Sequence, residues 1–425
     1  MTNRVRVRVF QNSFFAVLCV LSIVLMLVAV AKPAQGQKYS VIHSFTGPDG
    51  ANPFARPTID RAGNLFGTTY AGGASGDGEV FKLTRTSRGW VLTPLYSFVG
   101  GSDGMQPNTS VMFGPDGSLY GTTHGGGGTA CNGGYGCGVV FKLTPPLTVC
   151  KSTLCPWIET VLYRFLGGND GRFPSSGVAF DQAGNLYGST LYGGGAGCGG
   201  DGCGTVYQLA RSGSGWTESV IYSFAGGADG EVPTSGLTLD RFGNLYGVTE
   251  FGGIYGSGDV YELTSSGSGW TQTILYSLDG STGDPEYPSG DLIFDSAGNL
   301  YGGSPSGGSG GGGTVFMLTP SPAGWTETTI WNFSGVFGAG PGGGVTIDPA
   351  GNLFGTTIND NGAGSVFKLV FSGGAWSETD LYDFTDYRDG GHPYSGVALD
   401  ANGNLFGTAA DCGESCQGVV FEVLP

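Results

Sequence analysis

The sequence predicts an all-β protein, a seven-bladed β-propeller built from four-stranded antiparallel blades. Three observations predict this fold: a segment that recurs seven times, four short strand patterns in each repeat, and chain ends that complete each other. The composition agrees, because 84 of the 425 residues are glycine and only 12% are charged, while 26 Phe, 19 Tyr and 7 Trp supply a large core. Helix-forming segments are scarce, which argues against helical bundles and α/β enzymes.

The recurring segment reads G-N-L-[YF]-G in six copies and has Ser in place of Asn in one. Successive copies are 52 to 67 residues apart, which is too long for leucine-rich or ankyrin repeats. The third repeat shows four strand patterns, at residues 177–181, 185–190, 204–209 and 218–224. Each is rich in Val, Leu, Ile, Phe or Tyr and is bounded by turn residues. Four strands repeated seven times predict a propeller.

The two ends of the chain predict that the propeller closes on itself. Residues 40–45 read S-V-I-H-S-F and copy the fourth strand of the third repeat, S-V-I-Y-S-F at 219–224. Residues 418–423 have the pattern of a third strand, so the last repeat lacks its fourth. We expect the N-terminal strand to complete that blade, which would also remove an exposed sheet edge.

The first 36 residues have the pattern of a signal peptide. Arg4, Arg6 and Arg8 precede an uncharged apolar run at residues 14–31, and small residues suited to cleavage follow at 29–31 and 34–36. We expect cleavage after residue 36, leaving a propeller domain at residues 37–425 that is secreted or held at the cell surface. The alternative is an uncleaved anchor, because 18 apolar residues are just long enough to span a bilayer.

The charge argues against nucleic acid as a partner. The whole chain has a formal charge of −16, and residues 1–36 carry four basic and no acidic residues, so the mature chain has −20. Nucleic-acid binding needs a basic surface.

Eight of the nine cysteines fall into four local pairs, three of them in the loop between the second and third strands. In an exported protein, such pairs predict disulfide bonds. Zinc is the alternative, but no pair encloses a histidine and the spacings vary. The pairs are Cys131 with Cys137, Cys150 with Cys155, Cys198 with Cys203, and Cys412 with Cys416.

Three repeated residue types have structural interpretations. An Asp stands four residues before the Asn in six repeats, and the resulting D-x-x-G-N spacing predicts a tight turn between the first and second strands. Calcium binding by these acids is the less favoured interpretation. A glycine occurs inside the second strand of every repeat, for which we expect a close approach of neighbouring blades. A Trp opens the fourth strand in six repeats, where packing is favoured over sugar stacking.

The repeat as a whole resembles a known family. The unit D-x-x-G-N-L-[YF]-G-T-T, then G-x-V-F-x-L, then W-x-x-x-x-L-Y-x-F-x-G-G-x-D-G-x-x-P, is similar to the GloVer tandem repeat of "choice-of-anchor" exported bacterial proteins. Its first half also resembles NHL-type propeller repeats. The resemblance covers about residues 38–425. It implies a secreted or cell-surface location and no established activity.

Two sets of loops should converge on one face of the propeller: the glycine-rich loops between strands two and three, and the D-G-x-x-P loops that lead into strand one. The Asp of the second set stands four residues before a proline in six repeats. It is interpreted mainly as part of an Asp-Gly turn. The alternative is an acidic ring that binds calcium or another cation, the one cofactor considered, with these ligands: Asp49, Asp103, Asp170, Asp229, Asp284 and Asp389.

Residues that break the repeat on this face are the candidates for ligand binding, because variable loop residues on a rigid scaffold usually carry function. They lie after strand two, between the D-G turn and the proline, or just after that proline, where Phe54 and Asn108 also stand. The candidates are His124, Arg172, Glu231, Glu250, Glu286, His392 and Tyr394.

These observations predict a non-catalytic binding or scaffold module at the cell surface. We expect a monomer whose ligand is a glycan or a surface protein, with membrane contact only through an uncleaved N-terminal segment. The alternative is a glycosidase or lyase that uses channel-mouth acids such as Asp170, Asp229, Glu231 or Glu286, for which two carboxyls about 5–10 Å apart in a pocket would be needed. No catalytic residue is assigned, since zinc-protease, EF-hand and phosphate-loop motifs are missing and the chain has only three His.

Overall fold

The computed structural model describes residues 37–146, 157–213, 215–267, 269–281, 283–335 and 339–424. Residues 39–424 form one compact unit of seven small sheets. The predicted seven-bladed all-β propeller is confirmed. In the described ranges, the helical segments are short 3-10 turns, and none is long and apolar enough to cross a membrane.

Each blade has a short inner strand, two central strands and a longer outer strand, and in blades 1 to 6 these four strands pair antiparallel in chain order. The N-terminal strand is β1 (Lys38–Ser44). Blade 1 consists of β2 (Thr58–Ile59), β3 (Leu65–Thr69), β4 (Glu79–Thr86) and β5 (Gly89–Ser97). Blade 2 consists of β6 (Met112–Phe113), β7 (Leu119–Thr123), β8 (Val139–Thr144) and β9 (Ile158–Arg164). Blade 3 consists of β10 (Arg172–Pro174), β11 (Ala179–Phe180), β12 (Leu186–Tyr192), β13 (Thr205–Ser212) and β14 (Gly215–Ser223). Blade 4 consists of β15 (Glu231–Pro233), β16 (Thr238–Leu239), β17 (Leu245–Phe251), β18 (Asp259–Ser266) and β19 (Gly269–Ser277).

Blade 5 has two additional short strands on its loops. It consists of β20 (Pro285–Glu286), β21 (Ser289–Phe294), β22 (Leu300–Ser304), β23 (Ser306–Gly307), β24 (Gly311–Ser321) and β25 (Gly324–Ser334). Blade 6 consists of β26 (Thr346–Ile347), β27 (Leu353–Thr357), β28 (Ser365–Ser372) and β29 (Ala375–Asp383). Blade 7 contains β30 (Ala398–Leu399), β31 (Leu405–Ala409) and β32 (Val419–Leu424). The 3-10 turns are η1 (Asn132–Gly134), η2 (Gly168–Asp170), η3 (Cys198–Gly200), η4 (Gly227–Asp229) and η5 (Asp360–Gly362).

The ring closes through the N-terminal strand, as the chain ends predict. The sheet of blade 7 has the order β1-β32-β31-β30, so β1 is its outer strand. Beyond the strands, the Phe45 N–H donates to the Gly418 carbonyl at 3.0 Å and the Asn52 N–H to the Gln417 carbonyl at 2.8 Å. These bonds join residues from opposite ends of the chain.

The hydrophobic core lies between the blades. Phe66 of blade 1 packs with Leu119 and Phe141 of blade 2, and equivalent clusters occupy the other interfaces. At the closing interface, Phe45 and Leu65 pack with Phe406. Each blade therefore buries its faces only against its two neighbours, which is why a closed ring is the stable form.

The tryptophans of the outer strands take part in this packing. The ring centroid of Trp157 lies 6.3 Å from that of Phe66 in the preceding blade, and Trp90 lies 5.9 Å from Phe406 across the closing interface. These contacts agree with the packing interpretation of the repeated Trp.

The glycine inside each second strand has a different cause from the one predicted. Gly67 lies directly opposite Phe81 of the third strand, and a Cβ on Gly67 would be 2.5 Å from the Phe81 ring. The same opposition of glycine and aromatic residue recurs in all seven blades. The expected blade-to-blade approach is wrong, because the glycine makes room for an aromatic ring of its own blade.

The D-x-x-G-N turns have the predicted geometry. The Asp60 carboxylate accepts hydrogen bonds from the N–H groups of Ala62 and Asn64, at 2.8 and 2.9 Å, and from the Asn64 side chain at 2.7 Å. Gly63 has φ +79°, a conformation that favours glycine. These turns lie at one face of the propeller, which we call the turn face. The opposite face, which carries the glycine-rich and D-G-x-x-P loops, is the loop face.

Two of the four predicted disulfides are present on the loop face. Cys131 is bonded to Cys137, and Cys198 is bonded to Cys203. The predicted disulfide between Cys150 and Cys155 involves residues that lie outside the described ranges.

The fourth predicted disulfide, between Cys412 and Cys416, is not formed in this structure, which corrects the expectation. Both Cys412 and Cys416 are free thiols, and the Cys416 sulfur lies 3.7 Å from the Cys412 sulfur. A disulfide requires a separation of about 2.0 Å. Burial and a hydrogen bond with Asp386 raise the pKa of Cys412 to about 12, which keeps this sulfur protonated. The loop therefore holds the two cysteines as neighbours without a covalent bond.

Candidate ligand-binding well

A central channel is lined by residues from all seven blades, which lie in the inner strands or just before them. Its cavity volume is about 440 Å³. In every repeat a proline marks the point where the chain turns into the channel, and on extended backbone the first, third and fifth residues after it share one face. These prolines are Pro53, Pro107, Pro174, Pro233, Pro288, Pro341 and Pro393.

The first position after the proline forms the rim of the channel on the loop face. Two aromatic residues stand there beside small polar ones. The rim residues among those lining the cavity are Phe54, Asn108, Ser175, Thr234, Ser289, Gly342 and Tyr394. Phe54 makes edge-to-face ring contacts with Tyr70 and with Tyr394, each at 5.4 Å between centroids. Tyr394 remains 41% exposed, so this side of the rim presents an aromatic surface.

The third position is glycine in four of the seven blades and serine in one. The exceptions are Arg56 in blade 1 and Asp291 in blade 5. Their side chains meet across the channel, with Arg56 Nη2 3.5 Å from Asp291 Oδ2, and Arg56 Nη1 also lies 3.5 Å from Thr346 Oγ1 of blade 6. The pair therefore bridges the channel, although the lining of the cavity continues past it to Met112 and Ile293. We call the pair the floor, and the part of the cavity on its loop-face side the well.

Neighbouring residues hold the Asp291 carboxylate and the Arg56 backbone in place. The Gly236 N–H donates to Asp291 Oδ1 at 2.9 Å, and a Cβ on Gly236 would lie 2.4 Å from that oxygen. Only glycine therefore leaves room for the carboxylate. On the other side, the Ser110 hydroxyl donates to the Arg56 carbonyl at 2.9 Å.

A series of buried hydroxyl groups joins the blades around the well. The hydroxyl of Thr68 in blade 1 donates to the Thr109 carbonyl of blade 2 at 2.9 Å, and that of Thr122 donates to the Ser176 carbonyl of blade 3 at 2.9 Å. Thr408 donates to the Ala55 carbonyl across the closing interface at 3.1 Å. Buried and satisfied bonds of this kind make the wall of the well rigid.

Of the seven predicted ligand-binding residues, Tyr394 lines the cavity. His124 is stacked on Phe173, with centroids 4.7 Å apart, and burial lowers the pKa of its imidazole. Arg172 forms an ion pair with Asp201 at 2.5 Å and lies over the rings of Phe173 and Tyr192. The contacts of His124 and Arg172 therefore stabilise the loops of blades 2 and 3.

The remaining four candidates also stand outside the residues that line the cavity. Glu231 accepts a hydrogen bond from the Gly227 N–H at 3.0 Å, and burial raises the pKa of Glu250. The Glu286 carboxylate lies beside Gly280. His392 Nδ1 is 3.2 Å from the carboxylate of Asp411.

The six predicted metal ligands are each engaged within their own turn. Asp170 accepts from the Tyr163 hydroxyl and the Leu166 N–H, both at 2.6 Å. Asp103, Asp229, Asp284 and Asp389 make the same pair of contacts with the outer-strand Tyr and a loop N–H. In the described part of the chain, no three His, Cys, Asp or Glu side chains are grouped closely enough to hold a metal ion.

Asp49 differs because a histidine replaces the tyrosine. His43 Nε2 lies 3.0 Å from Asp49 Oδ2, and Thr46 donates to Asp49 twice, from its N–H and its hydroxyl, at 2.7 Å. Burial opposes ionisation of Asp49, but the Thr46 hydrogen bonds outweigh it and lower the pKa of this carboxyl. The contacts agree with the Asp-Gly turn interpretation, and calcium binding stays a prediction.

Sequence reasoning missed the floor of the well. Phe54, Asn108 and Tyr394 were identifiable because they follow the proline, whereas Arg56 and Asp291 were not singled out. A signal was present, since both break a position that is otherwise glycine or serine. Arg56 and Asp291 come into contact because the ring of blades is curved.

Several solved structures resemble this one. A putative 6-phosphogluconolactonase from Bacteroides uniformis is 15% identical, with a TM-score of 0.51 over 83% of this chain and 89% of that one. A polysaccharide lyase described as an ulvan lyase is 11% identical, with a TM-score of 0.49 over 91% and 95%. A protein of unknown function from Dyadobacter fermentans is 11% identical, with a TM-score of 0.46 over 92% and 99%. At 15% identity, the similarity to the first of these structures concerns the fold alone.

No curated protein matches the sequence. The Gloeobacter/Verrucomicrobia repeat matches it twice, over residues 29–200 and 198–421, and these matches span nearly the whole propeller. The suspected GloVer resemblance is thereby confirmed. The chain belongs to the Gloeobacter/Verrucomicrobia repeat family.

Proposed function

We propose that this protein is an exported, non-catalytic propeller that binds a glycan in the well on its loop face. The observation that carries the proposal is the combination of an aromatic rim at Phe54 and Tyr394 with a charged but neutralised floor at Arg56 and Asp291. Aromatic faces pack on the apolar faces of sugar rings, and fixed polar groups bond their hydroxyls.

The dimensions of the channel cavity, of which the well is the loop-face part, suit a small part of a saccharide. A cavity of about 440 Å³ lies at the lower end of the range usual for small-molecule sites, roughly 300–1,000 Å³. The rim opposite the aromatic residues carries Ser175, Thr234 and Ser289, whose hydroxyls donate to backbone carbonyls of the next blade. Their oxygen lone pairs remain available to accept hydrogen bonds from sugar hydroxyls.

Binding is favoured over catalysis because of where the acids stand. Among the described residues that line the cavity there is one carboxylate, Asp291, and it is paired with Arg56. Asp170, Asp229, Glu231 and Glu286, the acids of the glycosidase or lyase alternative, do not line it. A glycosidase or lyase mechanism that needs two cooperating carboxyls would therefore find one acid among the described residues of the well.

Export is part of the proposal. It is supported by the signal-peptide pattern of residues 1–36, by the two disulfides of the loop face, and by the repeat family. A secreted or surface location would place the well in contact with extracellular polysaccharides. A surface protein in place of a glycan is the alternative partner.

The proposal is tested with the purified protein and a panel of soluble polysaccharides and oligosaccharides, by thermal shift and then by calorimetry. A ligand that binds only the folded state raises the melting temperature. Phe54→Ala and Tyr394→Ala should each weaken binding about fivefold, because a stacking contact is worth roughly 1 kcal/mol. The control is Phe242→Ala, which removes a ring that is 74% exposed on the turn face.

Three outcomes are informative. Equal losses for the rim variants and for Phe242→Ala would place the glycan elsewhere. Release of reducing or unsaturated ends from a bound polysaccharide would contradict the non-catalytic role. A stable protein that responds to no glycan would count against the proposal and favour a protein partner.

A further inference from the structure

We infer that Arg56 and Asp291 form a recognition pair for two adjacent hydroxyls of an uncharged sugar ring that enters the well as the end of a chain. This inference rests on the proposed glycan-binding function and narrows it to a ligand class. Three properties of the pair support it: unused hydrogen-bonding capacity, charge balance, and narrowing of the channel.

Both side chains keep hydrogen-bonding capacity after their mutual contact. The Arg56 guanidinium has five N–H donors, and its two contacts, with Asp291 and Thr346, both stand at the 3.5 Å limit. Asp291 accepts one firm bond, from the Gly236 N–H at 2.9 Å, although a carboxylate offers about four acceptor positions. The side chains are 32% and 49% exposed, so the free positions face solvent in the channel.

A pair of adjacent hydroxyls matches this arrangement. Each hydroxyl both donates and accepts, so one can donate to Asp291 while the next accepts from Arg56. Bonds to charged partners are shorter and roughly twice as strong as bonds between neutral groups. The ligand would thereby replace two weak contacts with strong ones while the two charges remain neutralised.

The charge balance selects against acidic sugars. Arg56 and Asp291 are the charged residues among the described ones that line the cavity, so the well itself is neutral. A uronate carboxylate that approached Arg56 would also face Asp291, in a chain whose net charge is −16. Like charges at close range disfavour binding.

The floor defines which part of the glycan enters. Arg56 crosses from blade 1 to blades 5 and 6, so its side chain narrows the channel between the loop face and the apolar opening on the turn face near Met112 and Leu239. We therefore expect a terminal ring, rather than the middle of a chain, to reach the pair, with Phe54 and Tyr394 stacking on it or on its neighbour at the rim.

The test compares three matched probes that share one scaffold: neutral oligosaccharides from the panel above, versions with a deoxy terminal ring, and versions with a terminal uronate. The variants are Asp291→Asn, which keeps an acceptor for the Gly236 N–H but removes the charge, and Arg56→Gln. The control is Arg85→Gln, which removes an ion pair outside the well, between the 60% exposed Arg85 side chain and the buried Glu422 carboxylate. Melting temperatures without ligand establish that each variant is folded.

We expect the native protein to bind the neutral probe at least tenfold more tightly than the deoxy and uronate probes. Both floor variants should lose about tenfold in affinity for the neutral probe. Asp291→Asn leaves an uncompensated arginine and should gain affinity for the uronate, whereas Arg56→Gln should not. Arg85→Gln should behave as native.

Failure of this inference differs from failure of the proposed function. If the deoxy or uronate probe binds the native protein as tightly as the neutral probe, the diol pair is overturned while glycan binding stands. If the floor variants bind the neutral probe like the native protein, the pair is likewise overturned. Lack of response to all three probes would count against both proposals.

Discussion

The Arg56 guanidinium and the Asp291 carboxylate meet 3.5 Å apart in the central channel, although 235 residues separate them in the sequence. Four of the other five blades have glycine at the same position. The ring thus brings together the two charged exceptions to one repeated position. Because both groups are partly exposed, their contact contributes little to folding, and it is their joint hydrogen-bonding capacity that marks the site.

The first prediction concerns this pair and stability. Arg56→Gln should lower the free energy of unfolding by less than about 1 kcal/mol, as is usual for partly exposed ion pairs. Chemical denaturation of the native and variant proteins measures the difference. A loss of several kcal/mol would mean that the pair is a structural element of the ring, and the binding role would lose its main support.

The second prediction concerns the glycine opposite an aromatic ring. Gly67→Ala should destabilise the protein by about 1–3 kcal/mol, because its Cβ would stand 2.5 Å from the Phe81 ring in a packed core. Gly267→Ala is the control, since a Cβ at Gly267 meets no atom within 4 Å. Denaturation midpoints compare the two. The explanation fails if both substitutions have the same effect, or if Gly67→Ala with Phe81→Leu is no more stable than Gly67→Ala alone.

The third prediction is a pH dependence of stability. Burial raises the pKa of Glu79 to about 7 and that of Asp259 to about 6, and Glu79 Oε1 and Asp259 Oδ2 have no hydrogen-bond partner among the described residues. For Glu79 the Ser97 hydroxyl acts in the opposite direction and Asp49 in the same one. In the unfolded chain such carboxyls titrate near pH 4 (about 3.9–4.3).

Between these values the folded state binds more protons than the unfolded state, so the free energy of unfolding falls as the pH rises. The contribution of the neutral carboxyls is complete below about pH 4 and is lost as the pH passes through about 6 to 7. Denaturation at pH 5.5 and pH 8 should show the protein more stable at the lower pH. Glu79→Gln should reduce this difference, whereas Glu414→Gln, at an exposed loop position, should leave it unchanged. A slope of the opposite sign would contradict the prediction.

The fourth prediction concerns calcium. Because Asp170 and its equivalents already accept hydrogen bonds from a tyrosine hydroxyl and a loop N–H, calcium or its removal by a chelator should change the melting temperature by less than about 1 °C at millimolar concentration. Asp170→Asn should instead lower the free energy of unfolding by about 1–2 kcal/mol, since it weakens the half-buried bond from Tyr163 and the exposed bond from the Leu166 N–H. A clear calcium-dependent rise that Asp170→Asn abolishes would establish the acidic ring as a cation site.

The architecture was predictable because it depends on local, repeated chemistry. The turn at Asp60 is encoded within five residues, the strand patterns within five to eight, and their sevenfold recurrence selects a propeller. The closure by residues 40–45 followed from comparing them with residues 219–224. The disulfide of Cys131 with Cys137 was equally local. Spacing alone did not suffice for Cys412 and Cys416, because the conformation of their loop sets the distance between the sulfur atoms.

The site and the cause of the glycine pattern were decided by tertiary structure. Gly67 and Phe81 are 14 residues apart, and only the strand register places one beneath the other. His124 and Arg172 differ from the residues at the same positions of other repeats, as ligand-binding residues often do. In the structure, however, His124 stacks on Phe173 and Arg172 forms an ion pair with Asp201. Arg56 and Asp291 lie in different repeats, and no local pattern specifies a contact that arises when seven blades close around an axis. Sequence therefore determined the blades, while the radius and curvature of the closed ring determined which exceptional side chains meet at its centre.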